Sequence, residues 1–132
     1  TFPDADRVSD MFASKQLQGA VHINTPDIAV LMVAADLAIG AGGTTSWERC
    51  CLGLPGLIVS VSENQRFIAE QLAKAGACIA MTGDVSAEAF ARVVTKLATR
   101  PDLIRRMGEA ARQICDGQGT DRIFDEISDE AA

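Results

Sequence analysis

The residues best suited to chemistry lie in one stretch, Gly40-Ala41-Gly42-Gly43-Thr44-Thr45-Ser46, with Glu48 just beyond it and Asn64-Gln65 further on. Glycines remove side chains where a chain must turn sharply, and they let a ligand approach bare backbone. Any of Thr44, Thr45 or Ser46 can cap the helix that carries Trp47 to Leu52. A helix start with unsatisfied N–H groups and hydroxyls is an anion site, and phosphate is the usual anion. The same residues also suit a capped strand–helix turn that holds no ligand. Glu48 lies about one turn beyond Thr44 and would repel a phosphate unless it had another task. Accepting hydrogen bonds from both ribose hydroxyls of a nucleotide is such a task; favouring the positive end of the helix dipole is the simpler one. Asn64 and Gln65 bring amide donors and acceptors for a sugar or phosphate, or serve as caps.

Other chemistries fit less well. The Gly-x-Gly-x-x-Gly fingerprint and an acidic residue about twenty positions after it are both missing, which disfavours a dinucleotide enzyme. No Gly-Lys-Ser/Thr follows the glycines, which excludes a P-loop. Cys50, Cys51, Cys78 and Cys115 have no metal-ligand or CxxC spacing and read as reduced, mostly buried apolar residues. His22 invites a general-base role, but a lone histidine in a strand is more often structural. The net charge of −6 argues against a nucleic-acid partner. No apolar run is long enough to span a membrane.

The elements that must position these groups alternate between two periodicities. Val8, Met11, Phe12 and Leu17 predict a helix after Pro3 and Asp4. Ala20–Ile23 reads as a short strand, Asn24-Thr25-Pro26-Asp27 as a turn, and the next helix runs to about Ala35 with Thr25 or Asp27 as its cap. Leu37–Ile39 and Leu57–Val61 are strands for burial on both faces, and Ala77–Met81 is another. Helices are expected from Asn64 to Lys74, from Asp84 or Ser86 through Leu97, from Pro101 through Ala111, and from a Thr120 cap through Ile127. Gly108 interrupts the third mildly, and Arg105, Arg106 and Arg112 read as a solvated face. The pattern predicts a Rossmann-like α/β fold, a parallel sheet of about four strands with helices on both faces. At 132 residues, 48% of them apolar, the chain is expected to be a single domain.

The run Gly42-Gly43-Thr44-Thr45-Ser46-Trp47-Glu48-Arg49-Cys50-Cys51-Leu52-Gly53-Leu54-Pro55, followed by Glu63-Asn64-Gln65, resembles the C-terminal half of the UDP-sugar hydrolase of pseudaminic acid biosynthesis. More distantly, it is similar to the C-terminal domain of the lipid II-forming N-acetylglucosaminyltransferase. Both families share the two-domain glycosyltransferase-B architecture. The Trp47-Glu48 and Asn64-Gln65 pairs favour the hydrolase. The reduced cysteines point to a cytoplasmic protein, and the resemblance implies a bacterial enzyme in which water attacks the anomeric carbon, releasing UDP and a 2,4-diacetamido-2,4,6-trideoxyhexose without cofactor or essential metal. It implies that Gly42, Gly43, Thr44, Thr45 and Ser46 hold the diphosphate and that Glu48 takes the ribose. Asn64 and Gln65 would reach the distal phosphate and sugar, and the turn Ile23, Asn24, Thr25 would hold uracil. The family's catalytic histidine lies in a glycine-rich N-terminal segment that this chain does not show, so no catalytic residue is assigned. The chain reads as a fragment of a two-domain protein whose N-terminal domain is its partner. The alternatives are the donor domain of a UDP-sugar glycosyltransferase and a nucleotide-sugar-binding module without chemistry.

Overall fold

A computed structural model describes residues 4–16, 18–60 and 62–130. Their elements are α1 (Ala5–Ser14), α2 (Ile28–Val33), β1 (Ala38–Gly40), α3 (Thr45–Leu52), β2 (Gly56–Val59), α4 (Glu63–Lys74), β3 (Cys78–Met81), α5 (Ala87–Ala98), α6 (Pro101–Ile114) and α7 (Gly119–Glu130). The chain divides into two compact units, Thr1–Leu31 and Met32–Ala132.

In the second unit the three strands form a parallel sheet in the order β1-β2-β3. Gly40 of β1 stands beside Ile58, and Ile58 beside Ala80. Neighbouring residues of a strand face opposite sides, and the sequence fills both sides with apolar groups. Ile58 packs with Cys50 of α3, Ala69 and Leu72 of α4, Cys78 of β3 and Ala111 of α6. Leu57 packs on the other side with Leu97 of α5 and Met107 of α6, bordered by Ile79, Phe90, Val94 and Ile104. Helices therefore cover both faces, as the doubly apolar strands require. The site depends on one consequence of the parallel order. The chain leaves β1 and β2 at the same edge of the sheet, so the starts of α3 and α4 are neighbours.

Small residues set the helix packing. Gly53, at a φ of 67°, ends α3 in the left-handed conformation while the Leu54 N–H donates back to the Arg49 carbonyl. A Cβ at Gly108 would stand 2.7 Å from the Gly53 carbonyl oxygen, so the glycine inside α6 is what lets that helix cross the end of α3. Arg112 lies over Gly53 and donates to the Leu52 carbonyl, whereas Arg105 and Arg106 are exposed and paired with Glu109 and Asp102.

Thr44 and Thr120 do not cap as expected, whereas Ser86 does. Thr44 is already helical in backbone and makes no side-chain cap bond, so α3 starts at Thr45, two residues before Trp47. Ser86 caps α5, its Oγ accepting from the Ala89 N–H at 3.2 Å. Thr120 lies inside the first turn of α7 and does not cap it. Asp116 organises that bend instead, accepting from the Gln118 N–H at 3.0 Å and from Arg122 at 2.8 Å. The guanidinium holds the Asp116 carboxyl down to about 2.

In the first unit, α1 stops at Ser14 and the Phe12 ring lies against Gly19. Ala20–Ile23 is irregular rather than a strand. A strand exists only through its neighbour's hydrogen bonds, and among the described residues this segment makes none to another strand. Helix α2 ends at Val33 instead of running to about Ala35, whose N–H turns back to the Met32 carbonyl. Pro3, Leu17 and Val61, which entered the sequence expectations, lie outside the described residues.

Candidate functional site

The turn after β1 rests against the first turn of α4. Gly42 is buried, and a Cβ there would stand 3.0 Å from the Gln65 carbonyl oxygen and 3.3 Å from Ile58 Cγ2. Gly43 is the opposite case, since a Cβ there would have nothing within 4 Å. One glycine is needed for packing inside the protein; the other leaves its outer side open. The N–H groups of Ser46 and Trp47 are turned inward to the carbonyls of Gly43 and Thr44, each at 2.9 Å. Among the described residues the N–H groups of Gly43, Thr44 and Thr45 have no such acceptor, and they remain available to an anion.

Thr44, Thr45 and Glu48 are exposed on this rim. Asn64 is exposed in the first turn of α4, with its Oδ1 accepting from Ser62 Oγ at 2.6 Å. The structure thus brings Gly42, Gly43, Thr44, Thr45, Glu48, Asn64 and Gln65 to the carboxyl edge of β1 and β2. Ser46 is different. It is 1% exposed, and its Oγ accepts from Arg49 Nη2 at 2.9 Å. Its hydroxyl lies inside the protein, behind the turn rather than on it.

Ile23, Asn24 and Thr25 belong to the first unit. Asn24 adopts a φ of 52°, which asparagine tolerates. Thr25 Oγ1 accepts from the Asp27 N–H at 3.2 Å. His22 is exposed and lines a hollow of about 240 Å³ with Ala5, Val8 and Asn24. A larger cleft, about 630 Å³, is lined by Asp36, Leu37, Val94, Ala98 and Ile104. It opens at the amino end of β1, away from the edge where open α/β sheets bind ligands.

Sequence reasoning missed Arg49. The residue is 5% exposed, and its Nη2 also donates to the Ala41 carbonyl at 3.1 Å. It belongs to none of the ion pairs among the described residues. Burial draws its pKa below the ordinary value, and electrostatic coupling to Cys50, Cys78 and Glu48 works against that shift. The available signal was helical spacing: Ser46, Arg49 and Cys50 stand at i, i+3 and i+4, a single face, and all three are buried.

Cys50 and Cys78 are buried, and burial pushes the Cys78 thiol up to about 11, with Cys50 adding to the rise. Both thiols sit as neutral packing groups. Unfolding returns Cys78 to a value near 9.0. Between those values the unfolded chain has lost a proton that the native protein keeps, so stability should fall as pH rises through that window. Urea midpoints across the window should fall more steeply for the native sequence than for Cys78→Ala; equal slopes would refute the shift.

No group of three metal-ligating side chains occurs among the described residues, and no helix among them is long and apolar enough to cross a membrane. No family model matches the chain. It is 33% identical over 131 residues to the UDP-N-acetylglucosamine--N-acetylmuramyl-(pentapeptide) pyrophosphoryl-undecaprenol N-acetylglucosamine transferase of Pelobacter propionicus, a match covering 94% of this chain and 34% of the relative. The protein of the same name from Desulfitobacterium hafniense is 32% identical over 111 residues, covering 80% and 30%. The spore coat polysaccharide biosynthesis protein SpsG of Bacillus subtilis is 33% identical over 101 residues, covering 75% and 30%. Among solved structures, spinosyn forosaminyltransferase SpnP aligns with a TM-score of 0.44 at 22% identity, covering 83% of this chain and 33% of that one. The chain spans about a third of the length of these curated relatives. Two of the three carry the transferase name, the more distant of the two resemblances noted from the sequence.

Proposed function

We propose that this chain is the UDP-sugar-binding portion of a glycosyltransferase of the glycosyltransferase-B type. The observation that carries the reading is the pair of glycines: Gly42 seals the turn against Gln65, while Gly43 has an open outer side and the N–H groups of Thr44 and Thr45 have no acceptor among the described residues. Relatives named for UDP-N-acetylglucosamine transfer support the choice of nucleotide and reaction class. In this reading Gly42 shapes the cradle, and Gly43, Thr44 and Thr45 hold the diphosphate. Glu48 takes the ribose hydroxyls, Asn64 and Gln65 reach the distal phosphate and sugar, and Ile23, Asn24 and Thr25 hold uracil.

Departure of UDP concentrates negative charge on the diphosphate as the bond to the anomeric carbon breaks. Fixed N–H donors aimed at that charge lower the barrier without reorganising. The acceptor site and the general base lie in this reading in the remainder of a longer cytoplasmic protein, since the relatives are about three times the matched length. A second reading, hydrolysis of the UDP-sugar, is favoured by the Trp47-Glu48 and Asn64-Gln65 pairs.

Calorimetric titration with UDP, ADP and CDP tests the binding role. Saturable binding selective for UDP is the expected result. Equal binding of all three would reduce the site to a diphosphate cradle and remove the uracil assignment; no binding would overturn the reading. UDP release from UDP-N-acetylglucosamine in water alone would select hydrolysis over transfer.

A further inference from the structure

Arg49 is a full charge in a buried place. Taking a guanidinium out of water costs several kcal/mol, which a carboxylate partner ordinarily offsets. No such partner is paired with it among the described residues, and its neighbour Glu48 is exposed on the rim. Instead the guanidinium ties together parts of the phosphate turn. Nη2 donates to Ala41 in the turn and to Ser46 in α3, and Nη1 lies 3.4 Å from where a Cβ on Gly40, the last residue of β1, would stand. Both hydrogen bonds come from Nη2, and the planar guanidinium lays Nη1 against Gly40 at the same time.

We infer that Arg49 is a positioning residue for the diphosphate: from behind, it fixes the turn between β1 and α3 so that the N–H groups of Gly43 to Thr45 face outward, and it sets a permanent positive charge behind the phosphates. The inference rests on the UDP reading above and deepens it. Ser46 then contributes through Arg49, as the acceptor that orients the guanidinium. The residue touches no substrate atom in this account. A bound diphosphate is the counter-charge that the guanidinium is not given by any paired carboxylate among the described residues.

A purely structural clamp would affect every ligand alike, whereas a charge behind the phosphates affects only ligands that carry them. The test compares UDP, followed by calorimetry, with uridine, followed by chemical-shift titration, on the native protein and on Arg49→Met, Arg49→Lys and Ser46→Ala. Arg49→Met should weaken UDP by roughly ten- to a hundredfold and leave uridine within about twofold. Arg49→Lys should recover part of the UDP loss. If Arg49→Met does not fold, Ser46→Ala carries the test, with an expected loss of about two- to tenfold for UDP alone. Loss of UDP and uridine in equal proportion, or no loss of UDP, would overturn the inference and leave the binding site standing. Failure of the native protein to bind UDP would overturn both.

Discussion

Gly43→Val should weaken UDP binding by about 1–3 kcal/mol and leave stability within about 0.5 kcal/mol of the native protein. Gly42→Val should do the reverse, lowering stability by about 1–3 kcal/mol before any ligand is added. The two positions are adjacent, and only their surroundings differ. A side chain at Gly43 meets no protein atom within 4 Å, so the protein has no reason to resist it. It would occupy the space through which a phosphate approaches the backbone. A side chain at Gly42 meets the Gln65 carbonyl and Ile58, neither of which can retreat without shifting α4 or β2. Denaturant midpoints and UDP titrations on both variants give four numbers. Native-like UDP affinity in Gly43→Val would mean that no phosphate sits on this turn.

Glu48→Ala should weaken UDP binding by about 1.5–3 kcal/mol, the range for hydrogen bonds to a charged group. Two forces compete at this position. In the proposed UDP complex the carboxylate would stand about one turn from the phosphates and repel them, and it would also accept from the ribose. If the ribose contact dominates, 2′-deoxyuridine diphosphate should lose less on Glu48→Ala than UDP does, because half of the contact is already gone. If repulsion dominates, the variant should bind UDP more tightly. Since Glu48 is exposed, stability should change little, which keeps the readout clean. Equal losses for both nucleotides would remove the ribose role.

The second unit was largely legible because its signals were redundant. Leu57 and Ile58 are apolar neighbours, as a strand buried on both faces demands, and Pro101 opens α6 where the sequence placed it. Leu97 and Met107 fall on the expected helical faces. The turn after β1 was legible because glycines followed by hydroxyl residues leave few backbone options. Three features were not. Ala20–Ile23 has the composition of a strand, but strand formation is settled by a neighbour and not by propensity. Thr44 was a reasonable cap by residue type, yet its backbone is helical and its side chain makes no cap bond. Arg49 reads as a solvent-facing arginine in any composition count; only its spacing from Ser46 and Cys50 reveals the buried face. Buried charge is a property of packing, and local sequence reports it weakly.

Helix α6 has a consequence for how the second unit comes apart. Met107 belongs to the packing on one side of the sheet and Ala111, one turn later, to the packing on the other. Strand β2 is shared in the same way through Leu57 and Ile58. Neither side can open without loosening an element that the other requires, so the two sides form one cooperative foldon rather than two. The turn between β1 and α3 is anchored to that foldon through Gly42 and Ile58. Its geometry is therefore set by global stability, and the diphosphate proposed to bind at Gly43 would meet a surface already in place, with little ordering left to do.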